Sequence, residues 1–436
     1  MAPRWPARSP DRLPLMRRMR RLRSALSVGA SNVLSSLPIM PTHRFMTSVM
    51  ALVLTLCVNA KNAAAQERRS DAVAPNIYAM TGKDAFAPVA LRARPLVYVP
   101  NSRSATVTVI DPLTYQVIRT FATGALPQHV VPSYDLGTLW VANNEGNSLT
   151  PIDPATGQDG TRVPVDDPYN LYFTPDGLFA MVIAERLHRI DFRDAHDMRL
   201  VQSLTLKCRG VDHMEFTADG HYAIATCEFS GQLVKIDLAT RTVAGYLKLG
   251  ATTSNPFKKL TALFRKRHRD HATAPMPQDI RSSPDGTVFF VADMTGGGVI
   301  LVDPIAFTRV GFITTGIGTH GLYPSRDGTR LYVTNRGWNT TAGGRHGPGS
   351  ISVLDFSTRQ IVARWPVPGG GSPDMGNVTA DGSELWVSGR YDDEVYVFAT
   401  ATGTLTHRIP VGRQPHGLCV WPQPGRYSLG HTGNMR

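Results

Sequence analysis

One short turn, written five times, constrains this chain more than any other feature. Thr174-Pro175-Asp176-Gly177, Thr217-Ala218-Asp219-Gly220, Ser283-Pro284-Asp285-Gly286, Ser325-Arg326-Asp327-Gly328 and Thr379-Ala380-Asp381-Gly382 share one pattern. Asp-Gly suits tight hairpins because glycine accepts positive φ and the aspartate side chain bonds nearby backbone. The aspartates stand 43, 66, 42 and 54 residues apart, so the unit is about 42 residues long and two intervals carry insertions, at 251–274 and 337–349. A second marker, the aspartate ending the third strand of each unit, recurs at Asp111, Asp153, Asp191, Asp237, Asp303 and Asp355, with Phe398 in its place in the seventh copy. Alternation such as Thr106-Val107-Thr108-Val109-Ile110 has the period of strands, and 39 Gly and 32 Pro supply the turns between them. One four-stranded unit cannot bury both its faces, so the units must pack on one another. The expected fold is all-β: a seven-bladed β-propeller of four-stranded antiparallel blades. The first strand, Leu96–Asn101, matches the second strand of the unit, and Gln414–Val420 has the pattern of the missing first one. The first blade is therefore expected to be closed by the C-terminal strand, which hides a sheet edge. The propeller spans 94–421, with an irregular arm at 66–93 before it and a tail at 422–436 after it.

Val97-Tyr98-Val99-Pro100-Asn101, Leu139-Trp140-Val141-Ala142-Asn143 and Tyr332-Val333-Thr334-Asn335 resemble the Tyr-Val-Thr-Asn repeats of the YVTN-type β-propeller family, which includes YncE-like periplasmic proteins. Met181-Val182-Ile183-Ala184 and Ala223-Ile224-Ala225-Thr226 depart from that pattern. The resemblance covers residues 94–421 and implies a seven-bladed fold. It constrains function weakly, because one scaffold hosts unrelated activities.

The formal charge of +12 suggests a polyanion-binding surface until it is located. Nine Arg and one Lys against Asp11 alone put +9 of it in residues 1–65. Arg44, the apolar run 49–58 and Ala63-Ala64-Ala65 have the order of a secretory signal, too short to span a bilayer. Residues 1–65 read as a basic presequence and signal peptide, with the true start at Met40 or Met46, and the expected location is periplasmic or secreted. The insertion 251–274 adds +5, through Lys258, Lys259, Arg265, Lys266, Arg267 and Arg269 against Asp270, and leaves the rest of 66–436 at −2. That body argues against nucleic acid as a partner. Phe257, Leu260, Leu263 and Phe264 stand at near-helical spacing beside the cations, which fits a basic amphipathic helix touching an anionic partner or a membrane surface.

Strand order places both insertions on one face, called here the top. At the start of each inner strand, where the channel opens to that face, the repeat aligns the pairs Gln128-His129, Tyr169-Asn170, Asp212-His213, Gln278-Asp279, His320-Gly321, Asp374-Met375 and His416-Gly417. His129, Asp212, His213, Asp279, His320 and His416 are the candidate ligand-binding residues of the channel mouth. His129, His213, His320 and His416 are the candidate metal ligands, since imidazole suits zinc, copper or iron; the bland alternative is polar lining of a water-filled channel. Trp338 and Arg390 join the basic cluster as candidate partner contacts. Cys208 and Cys227 flank one hairpin and are the candidate disulfide of an oxidising compartment, with Cys419 a buried thiol. No Cys-x-x-Cys-His is present, which excludes covalent c-type haem; Asp153-Pro154-Ala155-Thr156-Gly157 lacks the Trp of quinoprotein blades, so no quinone cofactor is expected; and no nucleophile elbow or P-loop occurs. A divalent metal is the one cofactor the residues suggest. The expected function is a monomeric, exported, non-catalytic propeller that binds a partner protein, envelope component or small ligand on its top face. The alternative is a metal-binding propeller or lactonase-like enzyme using the channel-mouth His and Asp residues.

Overall fold

The computed structural model describes residues 76–250, 274–341, 347–431 and 433–436. The presequence, the start of the arm and all of Lys258, Lys259, Arg265, Lys266 and Arg267 lie outside the described residues. Seven antiparallel sheets follow one another along the chain, and their inner strands are Cys419–Trp421, Pro127–Pro132, Pro168–Phe173, Val211–Phe216, Pro277–Ser282, Thr319–Pro324 and Pro373–Val378 for blades one to seven. Blade two has a divided outer strand, Gln158–Asp159 and Val163–Pro164, both paired with Ser148–Asp153. Blade one is closed by the C-terminal strand, with Leu96, Val97 and Tyr98 opposite Trp421, Val420 and Cys419.

Both repeated motifs have visible structural work. In the Asp-Gly turns a Ser or Thr hydroxyl donates to the aspartate two residues on, at 2.6 Å for Thr174–Asp176 and Thr217–Asp219 and 2.5 Å for Ser283–Asp285. The glycine behind it takes φ of +73° at Gly177 and +70° at Gly286, where a side chain would be strained. The asparagine that ends the second strand reaches across to the third: Asn101 Nδ2 donates to Thr106 and Thr108, Asn143 to Ser148 and Thr150, and Asn335 to Ser350 and Ser352. The Asn of each Tyr-Val-Thr-Asn repeat is thus a staple that fixes the loop opening onto the top face. Between blades, alternate residues bury apolar seams; Met181, Ile183, Phe192, Met214 and Val234 belong to one of them. Cys208 and Cys227 are joined in a disulfide with Cα atoms 5.9 Å apart, and Cys419 is a buried thiol.

The tail does not trail away from the disc. After Trp421 it runs along the lower end and turns back into the channel as a hairpin, with Leu429 N–H donating to Asn434 O at 2.8 Å and Arg436 N–H to Tyr427 O at 3.0 Å. That hairpin adds to the inner strand of blade three through Phe173 N–H to Leu429 O and His431 N–H to Leu171 O. A Cβ at Gly430 would lie 2.4 Å from Leu171 O, so only glycine permits the approach. Arg436 locks the end with a buried ion pair to Glu215, 2.8 Å, and stacks over Tyr78 of the arm, whose hydroxyl donates to Ser282 O. Arm and tail together close the lower end. Among the described residues no helix is long and apolar enough to cross a membrane.

Candidate functional site

The channel lining begins with a local irregularity. A strand that simply alternated would send consecutive side chains to opposite faces. Here the register shifts at the start of the inner strand, between Pro127 and His129, Val211 and Met214, Pro277 and Ile280, Thr319 and Leu322, and Pro373 and Gly376. Such bulges re-aim side chains, and they let two successive residues of a blade address the axis. An upper layer results, containing Tyr169, Asp212, His320, Asp374 and His416, above a lower layer containing His129, Asn170, His213, Asp279 and Met375. Gly417 makes room in the lower layer: a Cβ there would meet His129 Nδ1 at 2.0 Å.

Five imidazoles meet inside. The ring centres of His129 lie 5.4 Å from His213, 4.8 Å from His416 and 5.1 Å from His431, and His213 and His431 are 4.7 Å apart. His129, His213 and His431, all fully buried, can each bring a ring nitrogen within 4.8 Å of the other two. Both nitrogens of His129, and Nε2 of His213 and His431, have no hydrogen-bond partner among the described residues. Asn170 Nδ2 lies 3.3 Å from His213 Nδ1 and 3.1 Å from His431 Nδ1, so one amide orients two of the rings. Burial, and then the neighbouring imidazoles, hold His129 well below the usual 6.5; burial followed by His431 does the same for His213. Burial lowers His431 as well, and brings His320 down to about 4. The cluster is neutral at ordinary pH, so each ring carries one N–H and one lone pair.

The upper layer is organised by Asp374. Its buried carboxylate meets His416 Nδ1 at 2.7 Å, His320 Nδ1 at 3.0 Å and Arg336 Nε at 2.5 Å, with Arg390 Nε at 4.0 Å. Burial opposes its ionisation, but Arg336, His320 and His416 outweigh that and hold it well below the usual carboxylate range. Tyr169 completes the layer, its hydroxyl 3.4 Å from His416 Nε2 and its ring edge-on to His129. On the opposite side of the mouth the carboxyls behave differently. Burial and then Glu228 raise Asp212 well above its usual value, and burial with Glu228 raises Glu185 to about 8.

The profile of the YNCE-like beta-propellers matches residues 56–264 and 265–425. The chain belongs to the YNCE-like propeller family. No curated protein matches it. Among solved structures it is similar to a functionally unknown protein from Desulfotomaculum acetoxidans DSM 771, with a TM-score of 0.60 at 13% identity over 76% of this chain and 100% of that one. It is also similar to a putative 6-phosphogluconolactonase from Bacteroides uniformis ATCC 8492, with a TM-score of 0.57 at 17% identity over 74% and 98% of the two chains. A third likeness is to the dihydro-heme d1 dehydrogenase NirN in complex with DHE, with a TM-score of 0.53 at 16% identity over 76% and 75%. At these identities the likenesses concern the fold alone.

In this YNCE-like propeller the residues singled out from the sequence do not all share one centre. His129 and His213 converge with each other. His320 and His416 are instead committed through Nδ1 to Asp374, in the layer above. Asp279 approaches the cluster from the side, its Oδ1 3.6 Å from His431 Nε2 and 3.3 Å from Arg281, while Asp212 turns Oδ1 back to the His213 N–H and the Thr226 hydroxyl. Trp338 stands apart on the top face, stacked at 4.3 Å on Tyr391. His431 escaped the sequence reading because it belongs to no repeat. Its one signal is a pair of flanking glycines, Gly430 and Gly433, in the tail that follows the last strand.

Proposed function

We propose that the protein is an exported metal-binding propeller whose channel holds one transition-metal ion on His129, His213 and His431. The observation carrying this reading is that three fully buried, neutral imidazoles converge with three of their six ring nitrogens unpartnered among the described residues and a fourth, His431 Nε2, meeting only Asp279 at 3.6 Å. A buried polar group without a partner costs about 1–3 kcal/mol, so three together are a large charge against a fold of ordinary stability, and a bound ion offsets it. Three histidines suit zinc, copper or iron and leave a coordination position open. Tyr169 and His416 lie on the side from which a further ligand would arrive. Ligation at about 2.0–2.1 Å asks the nitrogens to close by about 1 Å from their present spacing, within reach of small ring rotations. Export is supported by the signal-like N-terminus and by the disulfide of blade four. The rival occupant is a cluster of ordered water.

Elemental analysis of untagged protein separates the two. One equivalent of zinc, copper or iron, lost on His431→Ala with the β spectrum unchanged, supports the metal; protein that stays metal-free after incubation with each ion overturns it. A second reading, partner docking on the same face, is favoured by a cleft of about 660 Å³ lined by Trp338, Tyr391, Arg103 and Arg413. Alanine at Trp338 that abolishes a pull-down of a crosslinked partner would support it; an unchanged pull-down would remove it.

A further inference from the structure

The residues that leave the second strand of each blade form the rim of the channel mouth, and their charges are sorted by side. Blades three and four contribute Glu185 and Glu228, above Asp212; blades six and seven contribute Arg336 and Arg390. Among the described residues no ion pair joins these acids to these arginines. Arg336 is taken by Asp374, whereas Arg390 is 4.0 Å from that carboxylate and its Nη1 is buried without a partner. On the other side Asp212 is completely buried, and its Oδ2 is likewise without a partner. A buried donor without a hydrogen-bond partner therefore lies on the side of blade seven and a buried carboxyl oxygen without one on the side of blade four.

We infer that the mouth is a binding site for a small zwitterion of the α-amino-acid type, with its carboxylate on Arg390 and Arg336 and its ammonium among Asp212, Glu228 and Glu185. A simple anion leaves the acidic side unrelieved, and a simple cation leaves Arg390 unsatisfied; a molecule carrying both charges on adjacent carbons answers both. The acids bear the mark of an unmet cation. Burial first, then crowding by Glu228 and Asp167, keeps Glu185 raised to about 8. Glu228 is raised by burial against the pull of Gln278, Arg336 and Arg390. Tyr169 lies next to the three-histidine cluster, its hydroxyl 3.4 Å from His416 Nε2 and its ring edge-on to His129. The inference stands independently of any metal.

Calorimetric titration of the full-length protein tests it with L-alanine, propionate and ethylammonium at equal ionic strength, followed by the other standard amino acids. Saturable binding is expected for an amino acid, about tenfold or more tighter than for the fragment lacking either charge. Arg390→Gln and Glu228→Gln should each weaken it by about tenfold or more, with the circular dichroism spectrum and the metal content of the parent retained. Propionate binding as tightly as alanine would reduce the site to an anion site, and ethylammonium doing so would reduce it to a cation site; either overturns the inference. So does the absence of a saturable signal for every amino acid up to about 10 mM, or equal binding by both variants.

Discussion

The two ends of the channel are built on opposite terms. At the lower end the chain spends its last residues on closure. The Leu429 and Met435 side chains are buried, backbone bonds tie the hairpin to blade three, and the Arg436 guanidinium meets the carboxylate of Glu215. At the upper end charged groups are gathered with their bonds incomplete, Arg390 on one side and Asp212 on the other. A protein that meant only to seal its channel would treat both ends alike. Buried polar atoms without partners are costly; they occur at both ends, Asn434 Nδ2 in the closing hairpin among them, but above they belong to the charged groups of Arg390 and Asp212, even beside the well-paired Asp374. The difference teaches that the lower end is structural, the upper end is addressed to a ligand, and the histidines lie where the two regimes meet.

The comparison breaks most sharply at Arg436. Arg436→Ala breaks the buried ion pair to Glu215, which keeps its bonds from the Phe216 and Ser282 N–H groups; breaking such a pair costs about 3–5 kcal/mol, so thermal unfolding should move down by many degrees. Undocking the hairpin also withdraws His431, so metal content should fall in the same variant. Arg390→Gln at the upper end should cost little stability, because its guanidinium has only a 4.0 Å approach to Asp374 to lose. Scanning calorimetry of the two variants checks this. Equal losses at both ends would mean that the upper charges are as structural as the lower ones.

The sequence made the blades legible because their turns and staples are local. An Asp-Gly pair, or an Asn three strand-positions from a Tyr, does the same work wherever it is repeated, so seven copies could be aligned and the closure by Cys419–Trp421 followed. The alignment also put His129, Asp212, His213, His320, Asp374 and His416 at the channel. It could not separate the upper layer from the lower, because that distinction is made by bulges that period-2 reasoning does not contain. Nor could it find His431, whose position depends on a single non-repeated hairpin and on Gly430 accepting the backbone of blade three. Repetition announces a scaffold; a residue that is used once leaves no such trace.

Acidity acts on the two regimes with opposite signs and sharpens the contrast in metal-free protein. His129, His213, His320, His416 and His431 all have lowered folded values. Each therefore contributes stability that is complete above about pH 6.5, the unfolded value, and is lost as pH falls toward the folded one. Asp212, Glu185 and Glu228 are raised, to about 8 for Glu185, so their contribution is complete at low pH and is lost as pH rises through the folded value. Each group supplies a slope of at most about 1.4 kcal/mol per pH unit. Between pH 8 and 6.5 only the carboxyls differ between folded and unfolded chains, so the melting temperature should rise as pH falls. Below 6.5 five histidines outnumber three carboxyls, and it should drop. A melting temperature measured from pH 5 to 9 should pass through a maximum near 6.5; one that climbs all the way to pH 5 would mean that the histidines take up protons in the folded state.

The smallest effect concerns Asn170, at the seam between the ends. Its Oδ1 accepts from the Leu171 N–H at 2.9 Å, which turns its Nδ2 toward Nδ1 of both His213 and His431. A donating amide makes both Nδ1 atoms acceptors, so each neutral ring carries its proton on Nε2, which has no partner on His213 and meets Asp279 at 3.6 Å on His431. Ligation through Nε2 requires those protons to move to Nδ1, where the amide then confronts them. Asn170→Asp removes the conflict: one carboxylate can accept from both Nδ1–H groups and still accept from Leu171. Outer-shell partners of this kind are worth about 10–100-fold in metal affinity, so Asn170→Asp should tighten metal binding by about tenfold. Competition titration against a chelator measures it. If affinity falls instead, the metal sits on the Nδ1 side and the Asn170 amide gives way to it.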